Sequence, residues 1–113
     1  MFHPSRGEIW LVDLNPIKGH EQAGKRPALI VSTNYFNSGP AELVVVVPLT
    51  TTQTRIPLHV EIHPPEGGLD RESFIKCENI RSVAKERLLK KMGSVSDETI
   101  SKVEERLVFL LDL

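Results

Sequence analysis

Two short polar clusters carry the residues best suited to chemistry. Gly19-His20-Glu21-Gln22-Ala23-Gly24-Lys25-Arg26-Pro27 runs straight into apolar Ala28-Leu29-Ile30-Val31, and Thr50-Thr51-Thr52 directly follows Leu43-Val44-Val45-Val46-Val47-Pro48-Leu49. Strands adjacent in sequence often pair in a sheet, so both clusters are expected at one rim. That would gather a carboxylate, a guanidinium and hydroxyls around an anion, and chemistry on a phosphodiester is the reading this suggests. Pro27 pushes Arg26 into an extended conformation, which partly presets its guanidinium. A guanidinium is permanently charged and matches a phosphate bidentately. A threonine hydroxyl at a strand end can donate to a phosphate oxygen as negative charge builds. Strand alternation places Thr50 and Thr52 on one face and Thr51 on the other. Each feature also has an ordinary explanation, a surface-paired arginine or a threonine favoured by β-propensity; the glycine-framed loop around His20, Glu21 and Gln22 is what favours function.

The elements that must hold these residues read as mostly β. Glu8 to Leu14 forms a first strand, with Trp10, Val12 and Leu14 on one side and Ile9 and Leu11 on the other. Asn15-Pro16 and Gly19 open a polar loop to Arg26. Ala28 to Ser32 and Leu43 to Leu49 are strands two and three, separated by turn residues from Asn34 to Pro40. Four consecutive valines, Val44 to Val47, imply a strand buried on both faces. A fourth strand starts at Pro57, with Leu58, Val60 and Ile62 inward and His59, Glu61 and His63 outward. Ser73 to Cys77 and Ile80 to Ala84 are two further short strands. The tail is helical: Ser96 is an N-cap, Asp97 and Glu98 suit the positive end of the dipole, and Ile100, Val103, Leu107 and Leu110 recur at helical spacing. Several short strands and one closing helix predict a small, partly open β-barrel.

A chain of 113 residues is expected to be a single domain over residues 1–113, and 40% apolar residues suit an ordinary soluble globule. Its single cysteine, Cys77, excludes an internal disulfide and a thiolate metal cluster, and its apolar neighbours mark it as a small buried hydrophobe. No stretch approaches the roughly 18 apolar residues of a membrane span, so a cytoplasmic protein is expected. The formal net charge of −1 neither supports nor excludes a nucleic-acid partner. Arg81, Lys85, Arg87, Lys90 and Lys91 form a basic run that is ordinarily a solvated face. His59 and His63 would stand more than about 10 Å apart along a strand, too far for one zinc ion, and are expected to be solvated. The acidic residues are scattered, with no triad for a two-metal nuclease. No metal and no cofactor are expected.

At these residues the sequence closely resembles the MazF/PemK family of toxin ribonucleases. The resemblance runs through Arg6-Gly7-Glu8-Ile9-Trp10, Gly19 to Pro27, Val47-Pro48-Leu49-Thr50, Pro57-Leu58-His59-Val60, Ile80-Arg81-Ser82-Val83 and Arg87-Leu88, nearly the whole chain in order. It implies an SH3-like barrel with a C-terminal helix, a homodimer, metal-independent cleavage of single-stranded RNA at a short motif, and an antitoxin whose disordered tail folds onto the toxin. The family's catalytic arginine falls on Arg26 and its catalytic threonine on Thr50, with the loop glutamate on Glu21. His20, Gln22, Lys25, Thr52, Ser73 and Asn79 are the candidate RNA-binding positions. Internal attack by the RNA 2′-hydroxyl is expected, leaving a 2′,3′-cyclic phosphate and a 5′-hydroxyl. The alternative is a non-catalytic barrel that binds nucleic acid or protein, such as a topoisomerase-inhibiting toxin; retention of Arg26 and Thr50 argues against it. Phe109 lies off the helix's apolar stripe, where it either widens an intramolecular contact or meets a second subunit.

Overall fold

The computed structural model describes residues 3–15 and 24–113. Its strands are β1 (Glu8–Asp13), β2 (Lys25–Ile30), β3 (Leu43–Thr50), β4 (His59–Ile62), β5 (Ser73–Lys76), β6 (Arg81–Ala84) and β7 (Leu88–Ser94). A one-turn helix α1 (Asn34–Asn37) joins β2 to β3, and helix α2 (Asp97–Leu111) follows β7. The strands form one antiparallel sheet in the order β4-β5-β3-β2-β1-β7, with β6 also paired to β3. This is the small, partly open β-barrel with a closing helix that the strand pattern predicts, and it agrees with the SH3-like barrel that the resemblance implies.

β3 is the shared element. It pairs with β2 on one side, and on the other with β6 along Leu43–Val46 and then with β5 at Leu49–Thr50. Its neighbours therefore change at midstrand, and its valines fill two cores. Val47 and Leu49 join Ile9, Leu29, Val60, Ile62, Ile75 and Val103 beneath α2. Val44 and Val46 join Val12, Leu14, Ala28, Ile30, Val83 and Leu88 on the opposite face. The valine run is buried on both faces because each side of the strand meets its own apolar layer.

Helix α2 is fixed at its first turn. The Ser96 hydroxyl accepts from the Thr99 N–H at 3.2 Å. Glu66, in the short 3-10 turn Glu66–Gly68, adds a carboxylate there: its Oε2 accepts from the Ser96 N–H at 3.0 Å, the Ser96 hydroxyl at 3.3 Å and the Thr99 hydroxyl at 2.6 Å. An anion at this end satisfies open N–H groups and opposes the helix dipole. Phe109 remains 78% exposed, so its intramolecular contact is slight.

β7 departs from the sequence reading, which placed no strand at 88–94. Leu88-Leu89-Lys90-Lys91 shows no alternation, because Leu89, Lys90 and Lys91 are all exposed on an edge strand that, among the described residues, pairs only with β1. β2 also starts earlier than expected, at Lys25, since Lys25, Arg26 and Pro27 pair with Asp13, Val12 and Leu11. Proline brings no N–H to a ladder, and on the other side the β2–β3 pairing covers only Ala28–Ile30.

Candidate active site

The β2–β3 ladder sets the site. Ala28 pairs with Pro48, Leu29 with Val47 and Ile30 with Val46, so the same register carried two residues on brings Arg26 level with Thr50. β2 begins and β3 ends at one rim, as neighbouring antiparallel strands must. β5 completes the corner: Thr50 pairs with Phe74, and Ser73 precedes it. Arg26, Pro27, Leu49, Thr50, Thr51 and Ser73 together line a recess of about 50 Å³. That space accepts an oxygen or two of a ligand, since one water occupies ~30 Å³ of liquid; the rest of a polymer would lie across its mouth.

Thr50 is 9% exposed, and its Oγ1 accepts from the Thr52 N–H at 3.2 Å. A hydroxyl has two acceptor lone pairs and one donor. The bond from Thr52 occupies one acceptor position and fixes the oxygen, which leaves the O–H able to turn toward the recess. Ser73 is buried, and its hydroxyl donates to the Arg71 carbonyl at 3.0 Å. The Arg26 guanidinium brings a permanent positive charge to the recess lining.

The candidates divide accordingly. Arg26, Thr50 and Ser73 share the recess. Lys25 is exposed at the start of β2, beside it. Thr52 contributes through its backbone N–H, and Asn79 closes the 3-10 turn Cys77–Asn79, apart from the recess lining. Glu21, His20 and Gln22 lie outside the described residues. Thr51 was expected on the opposite face from Thr50 but lines the same recess: β3 ends at Thr50, and strand alternation ends with it.

Two other expectations change. The His59 side chain is only 5% exposed; its Nε2 meets Glu78 Oε2 at 2.7 Å and its Nδ1 meets Thr54 Oγ1 at 3.3 Å. His63 is solvated as expected, but Glu61 and Glu72 flank it, at 3.1 Å from Nε2 and 3.6 Å from Nδ1. The three form an exposed polar cluster where β4 ends and β5 begins. Arg81 and Arg87 of the basic run point inward to backbone carbonyls of the β1 terminus. Cys77 is buried as read, and burial, followed by the charge of Glu78, pushes its thiol up to about 11. A larger cleft of about 630 Å³, lined by Ile56, Pro57, Leu58, Glu105, Arg106 and Phe109, lies against α2. Its lining, Arg106 included, offers no hydroxyl-bearing side chain among the described residues.

Fold and recess together define a small antiparallel β-barrel with a cationic, hydroxyl-lined rim. The family described as PemK-like, MazF-like toxin of type II toxin-antitoxin system matches residues 5–111. The chain belongs to this family. Endoribonuclease EndoA of Bacillus subtilis (strain 168) is 36% identical over 109 residues, spanning 96% of this chain and 94% of the relative. An endoribonuclease solved in complex with its cognate antitoxin, from Mycobacterial species, is 31% identical with a TM-score of 0.79, covering 100% of this chain and 97% of that one. MazF (Form-I) from Deinococcus radiodurans, 24% identical, superposes over the full length of both chains with a TM-score of 0.87 and supports the fold. No helix among the described residues is long and apolar enough to cross a membrane.

Proposed function

We propose that this chain is the endoribonuclease toxin of a toxin–antitoxin pair, cutting single-stranded RNA at the rim where β2 begins and β3 ends. The observation that carries the reading is the convergence of Arg26, Thr50 and Ser73 on one recess, in a chain 36% identical to an endoribonuclease. Arg26 binds a non-bridging oxygen of the scissile phosphate and neutralises charge as the phosphorane forms. Thr50, its oxygen held by the Thr52 N–H, donates its hydroxyl proton to the same developing charge. Lys25, Ser73, Thr52 and Asn79 contact the RNA around it; His20 and Gln22 do so from the preceding segment, which also supplies Glu21 to the reaction.

The nucleophile is the RNA's own 2′-oxygen. It loses its proton to solvent as it attacks the adjacent phosphorus, the bond to the 5′-oxygen of the next nucleotide breaks, and that oxygen takes up a proton from solvent and leaves as a 5′-hydroxyl. The other product ends in a 2′,3′-cyclic phosphate. An intramolecular nucleophile already held near its target supplies a large part of the barrier reduction through proximity. The expected protein partners are a second copy of the chain and a cognate antitoxin, as in the mycobacterial relative's complex. The working compartment is the cytoplasm, where mRNA is found. An end-mapped RNA with a single 2′-deoxy substitution 5′ of the cut tests the chemistry. The unmodified RNA should be cut to cyclic-phosphate and 5′-hydroxyl ends, and the deoxy RNA should survive. Efficient cleavage of the deoxy substrate would overturn the mechanism.

A further inference from the structure

We propose that Arg81 and Arg87 are positioning residues that brace the end of β1 and, through it, the start of β2, so that Arg26 is held at its place on the rim; this rests on the reading of Arg26 above. Two β1 pairings reach this corner, Val12 with Arg26 and Asp13 with Lys25. Just beyond them the ladder ends in the Leu14 N–H donating to the Gly24 carbonyl at 3.0 Å and the Gly24 N–H donating to Asn15 Oδ1 at 3.1 Å. The position of β2 at Arg26 therefore depends on where residues 13–15 are held.

On its other edge β1 runs out of partner. β7 begins at Leu88 opposite Val12, so it has no N–H to offer further along. Arg87, the residue immediately before β7, supplies the donors in place of a strand: its Nη1 donates to the Asp13 carbonyl at 3.1 Å and to the Asn15 carbonyl. The carbonyl between them, that of Leu14, accepts from Arg81 Nη1 at 3.3 Å, across from β6. One guanidinium from β6 and one from the turn before β7 thus hold three consecutive carbonyls, 67 to 74 residues away in sequence. A guanidinium presents several N–H donors in a rigid fork, which suits this role better than a flexible ammonium.

The competing use of these arginines is direct contact with RNA phosphates as part of a basic surface, and the two uses separate experimentally. A phosphate contact contributes to binding, so its loss raises KM and lowers the salt dependence of binding by about one counterion. A brace acts on the reacting geometry, so its loss lowers kcat and acts only while Arg26 is present. Displacing a catalytic group by about 1 Å can cost as much as 10²-fold.

The experiment measures single-turnover RNA cleavage, salt-dependent RNA affinity and amide hydrogen exchange for Arg87→Ala, Arg87→Lys, Arg81→Ala, Arg26→Ala and the double variant Arg26→Ala/Arg87→Ala. Lys90→Ala, an exposed charge on β7, serves as the control and should cleave like the parent. Arg87→Ala should lose roughly 10- to 100-fold in rate with RNA affinity and its salt slope unchanged, and Arg81→Ala should lose less. The Leu14 and Gly24 amides should exchange faster. Arg87→Lys should recover part of the rate, and Arg87→Ala should cost nothing further in the Arg26→Ala background. A loss confined to affinity, a flattened salt slope, or full additivity with Arg26→Ala would overturn the brace while leaving the active site standing. Unchanged cleavage by Arg26→Ala would instead remove the active-site reading, and the brace with it. If Arg87→Ala does not fold, Arg87→Lys carries the same comparisons.

Discussion

Replacing Glu66 by Gln tests how a 3-10 turn anchors helix α2. One oxygen of Glu66 receives three donors, the Ser96 N–H, the Ser96 hydroxyl and the Thr99 hydroxyl. Burial alone would raise its pKa; the Thr99 bond, the two Ser96 bonds and the charge of Lys102 outweigh that and hold the carboxyl below its ordinary 4.5. Gln keeps an acceptor oxygen but loses the charge that strengthens these bonds and opposes the helix dipole. A charged bond is worth about 1 kcal/mol more than a neutral one, and the dipole term adds ~0.3–1 kcal/mol in partly exposed settings. The expected loss is about 1–2 kcal/mol near neutral pH, or roughly 4–8 °C in Tm. The sign with pH follows from the depressed folded-state value. The carboxylate's contribution is fully present above about pH 4.5 and disappears as pH falls through the folded pKa. Denaturant titrations of parent and Glu66→Gln from neutral pH down to about pH 3 should therefore converge. Equal stability at neutral pH, or a gap that persists undiminished in acid, would refute the reasoning.

Gly68 sits at φ +72°, where an added Cβ would lie 1.9 Å from the Met92 carbonyl oxygen. Gly68→Ala should cost about 3 kcal/mol or more, from backbone strain and a clash with β7; a Tm within about 2 °C of the parent would contradict this close approach. Cys77, with its thiol pushed up to about 11, should resist a thiol-directed disulfide reagent at about pH 8 until denaturant is added. Rapid labelling of the folded protein would show that it is not sealed in the core.

The parts of this fold that depend on local sequence were legible in it. The Val44–Val47 run announces a strand covered on both faces, and Ser96 with its acidic first turn announces α2. The meeting of Arg26 and Thr50 was legible too, because it needs only two successive strands to pair. What stayed hidden depends on contacts distant in sequence. β7 lacks alternation because an exposed edge need not alternate, and Arg81 and Arg87 read as surface charge because their partners are backbone carbonyls far along the chain. His59 alternates outward on β4 yet is covered once the turn carrying Glu78 folds over it. Thr51 joins the recess because β3 stops one residue before it.

The central claim is that Arg26 and Thr50 act together on an RNA phosphate. The most direct measurement is single-turnover cleavage of a single-stranded RNA by the parent, Arg26→Ala and Thr50→Ala, with Tm recorded for each. Both variants should fold with little change in Tm, because Arg26 and Thr50 stand at the rim, where β2 begins and β3 ends. Each should cleave about 10²-fold or more slowly, the loss expected when a donor to transition-state charge is removed. Parent-like cleavage by either folded variant would contradict the assignment.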